Sequence, residues 1–205
     1  MARTLKNLEE FRLNIYDENN GVMVEAPTWI EFVHSIPSLK TLQIDLNDRT
    51  WKEFHVQLFR ENSLPHLENL TISSFEGSMD FKMLMSVSKK ITKLGFESDD
   101  EELSFTNLAP TDLRGLKMLS FDIYSLIFDM VQWTHIITEL EARPEFVVKY
   151  KRNWDVETAE KLGKWLSLPN FMWDLIKATS KEEFNRAVQL CINNCIGLNR
   201  ISFLE

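Results

Sequence analysis

The chain has 205 residues, of which 44% are hydrophobic and 26% are charged. This balance is typical of a globular domain and excludes an intrinsically disordered chain. Lys and Arg number 23 and Asp and Glu number 31, so the formal net charge is -8. Because an acidic surface repels phosphate backbones, the composition disfavours nucleic acid as a partner.

Apolar runs and cysteine content indicate the compartment. No run approaches the roughly 18 apolar residues of a membrane span, and residues 1–10 lack the apolar core of a signal peptide. Cys191 and Cys195 are the only cysteines, too few for a disulfide framework. We therefore expect a cytoplasmic or nuclear protein that does not contact a membrane.

An apolar pattern of two three-residue steps and one two-residue step recurs along the chain. It begins as Leu5-x-x-Leu8-x-x-Phe11-x-Leu13. Further clear copies begin at Ile36, Leu64, Leu113, Trp165 and Cys195. Such recurrence at a fixed pattern is typical of repeat proteins.

Two weaker copies complete the series. One begins at Ser88. The other begins at Ile137 and Leu140 but then meets Pro144, and strand character resumes at 146–148. The leading positions lie 24 to 31 residues apart, about 27 on average, a period typical of solenoid repeats.

The spacing within each repeat predicts one strand and one helix. The closing step, as in Leu42-Gln43-Ile44, alternates every two residues, which predicts a short strand with one buried face. Between strands the apolar spacing changes to three and four residues, which predicts a helix packed behind the sheet. Two such stripes comprise Trp29, Phe32, Val33 and Ile36, and then Phe184, Ala187, Val188, Cys191 and Ile192.

Helix starts are predicted where a Ser or Thr stands three residues before a Glu, because the two residues satisfy each other's free backbone donors. The pairs are Thr28 with Glu31, Thr50 with Glu53, and Ser180 with Glu183. Each pair precedes a helical stripe and lies between two predicted strands.

This pattern resembles the leucine-rich repeat family, in the long, irregular units found in ribonuclease inhibitor, F-box proteins and immune receptors. The resemblance implies an α/β leucine-rich-repeat solenoid with a curved parallel sheet on the concave face and helices on the convex face. It covers residues 1–205 as a single array of about seven repeats plus a terminal strand. Because no atypical capping repeat is visible at either end, we expect a fragment or part of a larger assembly.

One departure from the family concerns its buried asparagine ladder. Regular arrays place Asn or Cys three residues after the last strand leucine, and only Asn47 fits that place in this chain. The departure predicts an irregular curve in place of a uniform horseshoe.

Motifs for chemistry are absent from the sequence. The six glycines are isolated, which excludes a phosphate-binding loop and a dinucleotide fingerprint. The four histidines share no zinc-ligand spacing with the cysteines, and no nucleophile–base pair is evident. We therefore expect no catalytic residue, no metal and no cofactor.

The concave face is the candidate binding surface, because the residue after the last apolar position of each strand points outward there. These residues are Asn14, Asp45, Ser73, Glu97, Asp122, Asp174 and Leu204. Asp45, Glu97, Asp122 and Asp174 are acidic, whereas composition alone predicts about one acidic residue in seven. They predict either an acidic stripe that binds a basic peptide or protein surface, or the solvated face of an acidic protein.

A second candidate surface is basic. It comprises Arg143, Lys149, Lys151 and Arg152, around the irregular repeat. This patch is interpreted as a site for an acidic element, as a contact with another part of the parent protein, or as ordinary surface.

These observations predict a non-catalytic protein–protein interaction module. The resemblance implies the substrate-recognition array of an F-box-type ubiquitin ligase receptor, with any ligase adaptor bound through a segment outside this chain. The alternatives are the sensor or autoinhibitory region of an intracellular immune receptor, and a general scaffold. A more remote alternative is an enzyme with its site on the concave face.

Overall fold

A computed structural model describes residues 6–15, 26–46, 56–73, 78–102, 104–125, 130–156, 160, 168, 170–178, 180–194 and 201–203. The strands are β1 (Glu10–Ile15), β2 (Thr41–Leu46), β3 (Asn69–Ser73), β4 (Ser78–Asp80), β5 (Lys93–Glu102), β6 (Ser104–Thr106), β7 (Met118–Ser125), β8 (Val147–Asp155), β9 (Phe171–Ala178) and β10 (Ile201–Phe203). The helices are α1 (Ala26–His34), α2 (Phe81–Ser86), α3 (Pro110–Leu113), α4 (Met130–Ala142) and α5 (Lys181–Asn194).

The strands form a parallel sheet that follows the order of the chain. Eight strands lie in the order β1-β2-β3-β5-β7-β8-β9-β10, and every neighbouring pair is parallel. Strands β4 and β6 form a second, two-stranded parallel sheet. The prediction of an α/β chain with a parallel sheet is therefore confirmed.

The last two apolar positions of the predicted pattern lie in register across the sheet. One ladder comprises Phe11, Leu42, Leu70, Leu94, Leu119, Val148 and Phe171. The other comprises Leu13, Ile44, Ile72, Phe96, Phe121, Tyr150 and Trp173. Because side chains two residues apart share a face, both ladders belong to the same face of the sheet.

Backbone hydrogen bonds fix this register where the strands begin. The carbonyl of Glu9 accepts from the N–H groups of Lys40 and Thr41, at 2.8 and 2.9 Å. In the same way, the carbonyl of Lys40 accepts from the N–H groups of residues 68–69, that of Glu68 from residues 92–93, and that of Thr92 from residues 117–118. Each carbonyl thus satisfies two donors of the following unit, a bond pattern that requires no particular side chain.

The core lies between the ladder face and the helices. Ladder residues such as Leu42 and Phe121 are completely buried, and helix residues such as Leu84 and Ile136 join them in one apolar cluster. The rings of Phe96 and Phe121 stack with centroids 5.9 Å apart. The helical stripe around Val33 joins the same cluster, as predicted.

The turn before β8 lies later in the chain than the predicted irregular repeat places it. Ile137 and Leu140 lie within α4 and not in a turn before a strand. The turn is formed instead by Arg143, whose carbonyl accepts from the N–H of Phe146 at 3.0 Å. The predicted leading position at Ile137 is wrong, because a three-residue apolar step also fits the buried side of a helix that ends just before Pro144.

The predicted helix starts have different outcomes. Ser180 immediately precedes α5 and its Oγ accepts from the N–H of Glu183 at 3.1 Å, which confirms it as a helix cap. Thr28 does not begin a helix, because α1 already starts at Ala26. The Thr50 pair lies outside the described residues.

One predicted core residue of α5 is exposed. Ile192 is 70% exposed to solvent, whereas Ala187 is buried and Leu190 packs against the core. The helix is therefore rotated relative to the predicted stripe, so that Leu190 takes an inward position. The predicted repeats that begin at Leu5, Trp165 and Cys195 have their leading positions outside the described residues.

A buried amide joins the irregular repeat to the next strand. Asn170 is 8% exposed, and its Nδ2 donates to the carbonyls of Leu140, Arg143 and Phe146 at 3.0, 3.3 and 2.8 Å. The backbone carbonyl of Asn170 accepts from the N–H of Val148 at 3.0 Å. Asn47, the single residue that matched the family's asparagine ladder, lies outside the described residues.

Replacing a ladder leucine by aspartate is expected to unfold the sheet. Leu42→Asp and Leu119→Asp each place a carboxylate at a completely buried position, so each should lower the free energy of unfolding by more than about 4 kcal/mol. Denaturant titration followed by circular dichroism measures the loss. The exposed control Lys117→Asp should change stability by less than about 1 kcal/mol, and equal stability of control and core variants would contradict the strand assignment.

Asn170→Asp tests the buried amide. The substitution exchanges the donating Nδ2 for a carboxylate oxygen that faces three carbonyl acceptors, so it should cost about 3 kcal/mol of stability at neutral pH. Asn193→Asp makes the same chemical change at an exposed position of α5 and should be nearly neutral. Thermal unfolding compares the two variants, and a matching loss in both would show that the amide bonds contribute nothing.

Candidate functional site on the open face of the sheet

The face of the sheet opposite the ladders is called here the open face. Its residues alternate with the buried ladder residues, and most are partly exposed. The middle row of this face is defined by Gln43, Thr71, Gly95, Ser120 and Lys149, which are partners in register from β2 to β8. The outer row is defined by Asp45, Ser73, Glu97 and Asp122, two residues further along each strand.

The outer row brings three of the four predicted acidic residues together. Asp45 pairs with Ser73, Ser73 pairs with Glu97, and Glu97 pairs with Asp122. Neighbouring strands are about 4.8 Å apart, so Glu97 and Asp122 hold adjacent positions. The side chains of Glu97 and Asp122 are partly exposed, and Asp45 is placed only by its backbone.

Hydrogen bonds hold the carboxylate of Glu97 in place. The hydroxyl of Ser73 donates to Glu97 Oε2 at 3.0 Å, and Nε2 of Gln43 donates to the same oxygen at 3.4 Å. Ser73 is nearly buried, at 6% exposed. Because Gln43 reaches Glu97 across an intervening strand, the carboxylate is directed over β3. Sequence reasoning missed this contact, which joins residues 54 positions apart.

Gly95 leaves the centre of the middle row without a side chain. A Cβ atom at this position would lie 3.0 Å from Ser120 Oγ and 3.1 Å from Thr71 Oγ1. Either neighbour would have to shift to accommodate it. Gly95 itself is buried, so the side chains of Thr71 and Ser120 close over the backbone of β5 at this point, with Glu97 two residues away.

The fourth predicted acidic residue is separated from the others by β8. Tyr150 pairs with Trp173 and Asn153 pairs with Leu175, so two residues of β8 lie opposite the single residue Asp174. This is the arrangement of a β-bulge. The two bulge residues are the basic residues at 151–152, and they stand between Asp122 and Asp174 in the order of the sheet. The predicted acidic stripe is therefore not continuous.

Arg143, from the predicted basic patch, makes its contacts within the chain. Its side chain is 19% exposed. The guanidinium donates to the carbonyl of Leu113 at 2.8 Å and to the carbonyl of Leu116. It also pairs with Glu139 at 3.4 Å and with Glu145 at 3.0 Å. These contacts satisfy the carbonyl of the last residue of α3 and a carbonyl just beyond the helix, so the guanidinium is engaged within the chain.

The other basic residues belong to β8. Lys149 lies in the middle row beside Ser120 and is partly exposed. Lys151 and Arg152 are placed only by their backbone, at the bulge. The sequence predicted these residues as neighbours of Arg143, but the sheet places Lys149 on the open face, one strand from the acidic row.

Two exposed ion pairs lie away from the open face. The pKa of Glu145 is lowered first by a hydrogen bond from the backbone N–H of the same residue and then by a hydrogen bond from the Arg143 side chain. A hydrogen bond from Arg186 lowers the pKa of Glu160, and this pair borders an open groove of about 400 Å³ along α5. The carboxylate side chains are 61% and 36% exposed, so solvent screens these pairs and they contribute little to stability.

The chain matches no family model, curated protein or solved structure. Within the described ranges, no cluster of three His, Cys, Asp or Glu side chains is arranged to hold a metal ion. In the same part of the chain, none of the helices has the length and apolar character to span a bilayer.

Removal of the Arg143 guanidinium is expected to destabilise the chain. Arg143→Gln should lose about 2 kcal/mol of unfolding free energy, because the carbonyls of Leu113 and Leu116 each lose a guanidinium donor in a partly buried place, and the Leu113 carbonyl is left with the N–H of Leu116. Arg114→Gln removes the same group from an exposed position next to α3 and should cost less than about 0.5 kcal/mol. Denaturant titration of both variants makes the comparison, and similar losses would show that the Arg143 contacts are not stabilising.

Proposed function

We propose that the chain is a leucine-rich-repeat solenoid that acts as a non-catalytic protein-binding module. The sequential order of the strands and the in-register apolar ladders support this architecture, since neighbouring strands contribute equivalent apolar positions to one continuous sheet. The helices supply the opposite layer of the core.

The observation that carries the binding proposal is the open face itself. It presents charged and polar side chains from successive strands, including Glu97, Asp122 and Lys149, while the described helix residues pack in the core on the other face. Eight strands at about 4.8 Å spacing extend over about 34 Å. With strands about 17 Å long, this face measures roughly 600 Å², slightly below the usual contribution of one partner to a stable interface. Its size favours a protein segment as the ligand.

Among binding modules, we propose the substrate-recognition array of an F-box-type ubiquitin ligase receptor as the first candidate. In this role the open face holds the target, and a segment outside this chain recruits the ligase adaptor. The sensor or autoinhibitory region of an intracellular immune receptor is the second candidate, and a general scaffold is the third. An enzyme with a site on the same face is the remote alternative.

Charge reversal on the open face tests the binding proposal. Glu97→Lys combined with Asp122→Lys should reduce recovery of a salt-sensitive partner about tenfold, because two attractive charges become repulsive. The tagged chain is purified from its source cell at low and moderate salt, and quantitative mass spectrometry compares the recovered proteins.

The matched control reverses Glu141 and Glu182, which are exposed on α4 and α5. This control should retain the partner, and circular dichroism should show that both double variants are folded. Equal partner recovery by the two folded variants would remove the open face as the binding surface. Ligase adaptor subunits among the partners would favour the first candidate, and a nucleotide-binding receptor segment would favour the second.

A further inference from the structure

Along the outer row of the open face, the charge changes sign between two neighbouring strands. Lys93, at the start of β5, is an exposed basic residue on the same face but lies outside that row, four residues before Glu97. From β2 to β7 the outer row carries Asp45, Glu97 and Asp122. The next strand, β8, carries Lys149 in the middle row and the basic bulge residues at 151–152. One interstrand spacing, about 4.8 Å, separates the acidic side from the basic side.

This change of sign limits the partners that fit. A uniformly basic surface is attracted by the outer row from β2 to β7 but repelled by Lys93 and by Lys149 on β8, because electrostatic complementarity is required at each position that it crosses. A uniformly acidic surface is repelled by the outer row from β2 to β7 and attracted by β8. A partner with both charges, separated in the same order, is attracted along the whole path.

The dimensions of the sheet set the length of such a partner. Three interstrand spacings separate β2 from β7, which is about 14 Å. An extended polypeptide advances about 3.3 Å per residue, so about four residues span the acidic side. One or two more residues reach Lys149 on β8.

Small polar side chains form the centre of the middle row. Gly95 presents no side chain and is buried between Thr71 and Ser120, whose hydroxyls would lie 3.1 and 3.0 Å from a Cβ atom at this position. A segment that crosses β5 here therefore lies over these two hydroxyls, two residues before Glu97. The Glu97 carboxylate is already positioned by Ser73 and Gln43, so binding does not have to order it.

We propose that the open face binds an extended protein segment that crosses the strands from β2 to β8 and carries its charges in two blocks. A block of about four residues rich in Lys and Arg lies over β2 to β7, and one or two acidic residues lie over β8. The inference rests on the proposed protein-binding function and adds the charge order of the ligand.

Three labelled synthetic peptides of about eight residues test the charge order. The block peptide has a Lys/Arg block, a short Gly spacer and a Glu pair. The alternating peptide has the same composition with interspersed charges, and the basic peptide has Gln in place of Glu. Fluorescence anisotropy at low salt should show the block peptide binding the full chain about two- to fivefold more tightly than the alternating peptide.

Charge variants make the test specific. Lys149→Glu should weaken the block peptide about two- to fivefold and strengthen the basic peptide by a similar factor, since it extends the acidic side onto β8. Glu97→Lys should weaken both peptides. Lys82→Glu is the control, because it makes the same charge change as Lys149→Glu on the exposed side of α2. It should change the affinities for the block peptide and the basic peptide in the same direction.

Equal affinity for the block and alternating peptides overturns the proposal, and so does an absence of binding at low salt. The proposal is also overturned if Lys149→Glu changes the affinities for the block peptide and the basic peptide in the same direction. A cellular partner whose recovery depends on Glu97 and Asp122 but not on Lys149 would retain the protein-binding function while rejecting the charge order. If no variant loses either the cellular partner or the peptide, both the protein-binding function of the open face and the charge order are rejected.

Discussion

The register between neighbouring parallel strands is the constraint on which the rest of the structure depends. Single carbonyl groups, such as those of Glu9 and Thr92, each accept two successive N–H groups from the next unit and fix where its strand begins. A slip of one residue would carry every ladder side chain to the opposite face. The same bonds therefore determine which apolar groups are buried and which charges are exposed.

Most of the sheet was predictable from the sequence, because apolar spacing depends on local geometry. The pair Leu42 and Ile44 alternates with exposed residues, and this alternation is enough to identify a strand with one buried side. The same spacing was insufficient at Ile137 and Leu140, since a three-residue step fits a helix as well as a turn. There the structure is decided by Pro144 and by packing across the core.

The candidate site was predictable only in part. The recurring apolar spacing predicted which residues share a row, and the structure places Glu97 and Asp122 next to each other in that row. The bulge opposite Asp174 was not predictable, because an extra residue in one strand leaves no signal in an apolar pattern already interrupted there. The roles of Arg143 and Asn170 were also missed, since their partners are backbone carbonyls that any residue type supplies.

The backbone origin of the register has a consequence for how such a surface diversifies. Since main-chain groups begin each strand, most open-face side chains are not needed to hold neighbouring strands together. Substitution at Lys149 changes what the surface attracts while the buried ladders stay intact. The hydrogen-bonded group formed by Gln43, Ser73 and Glu97 is the less replaceable part. A chain built in this way can acquire new ligand preferences through single surface replacements, without a new fold.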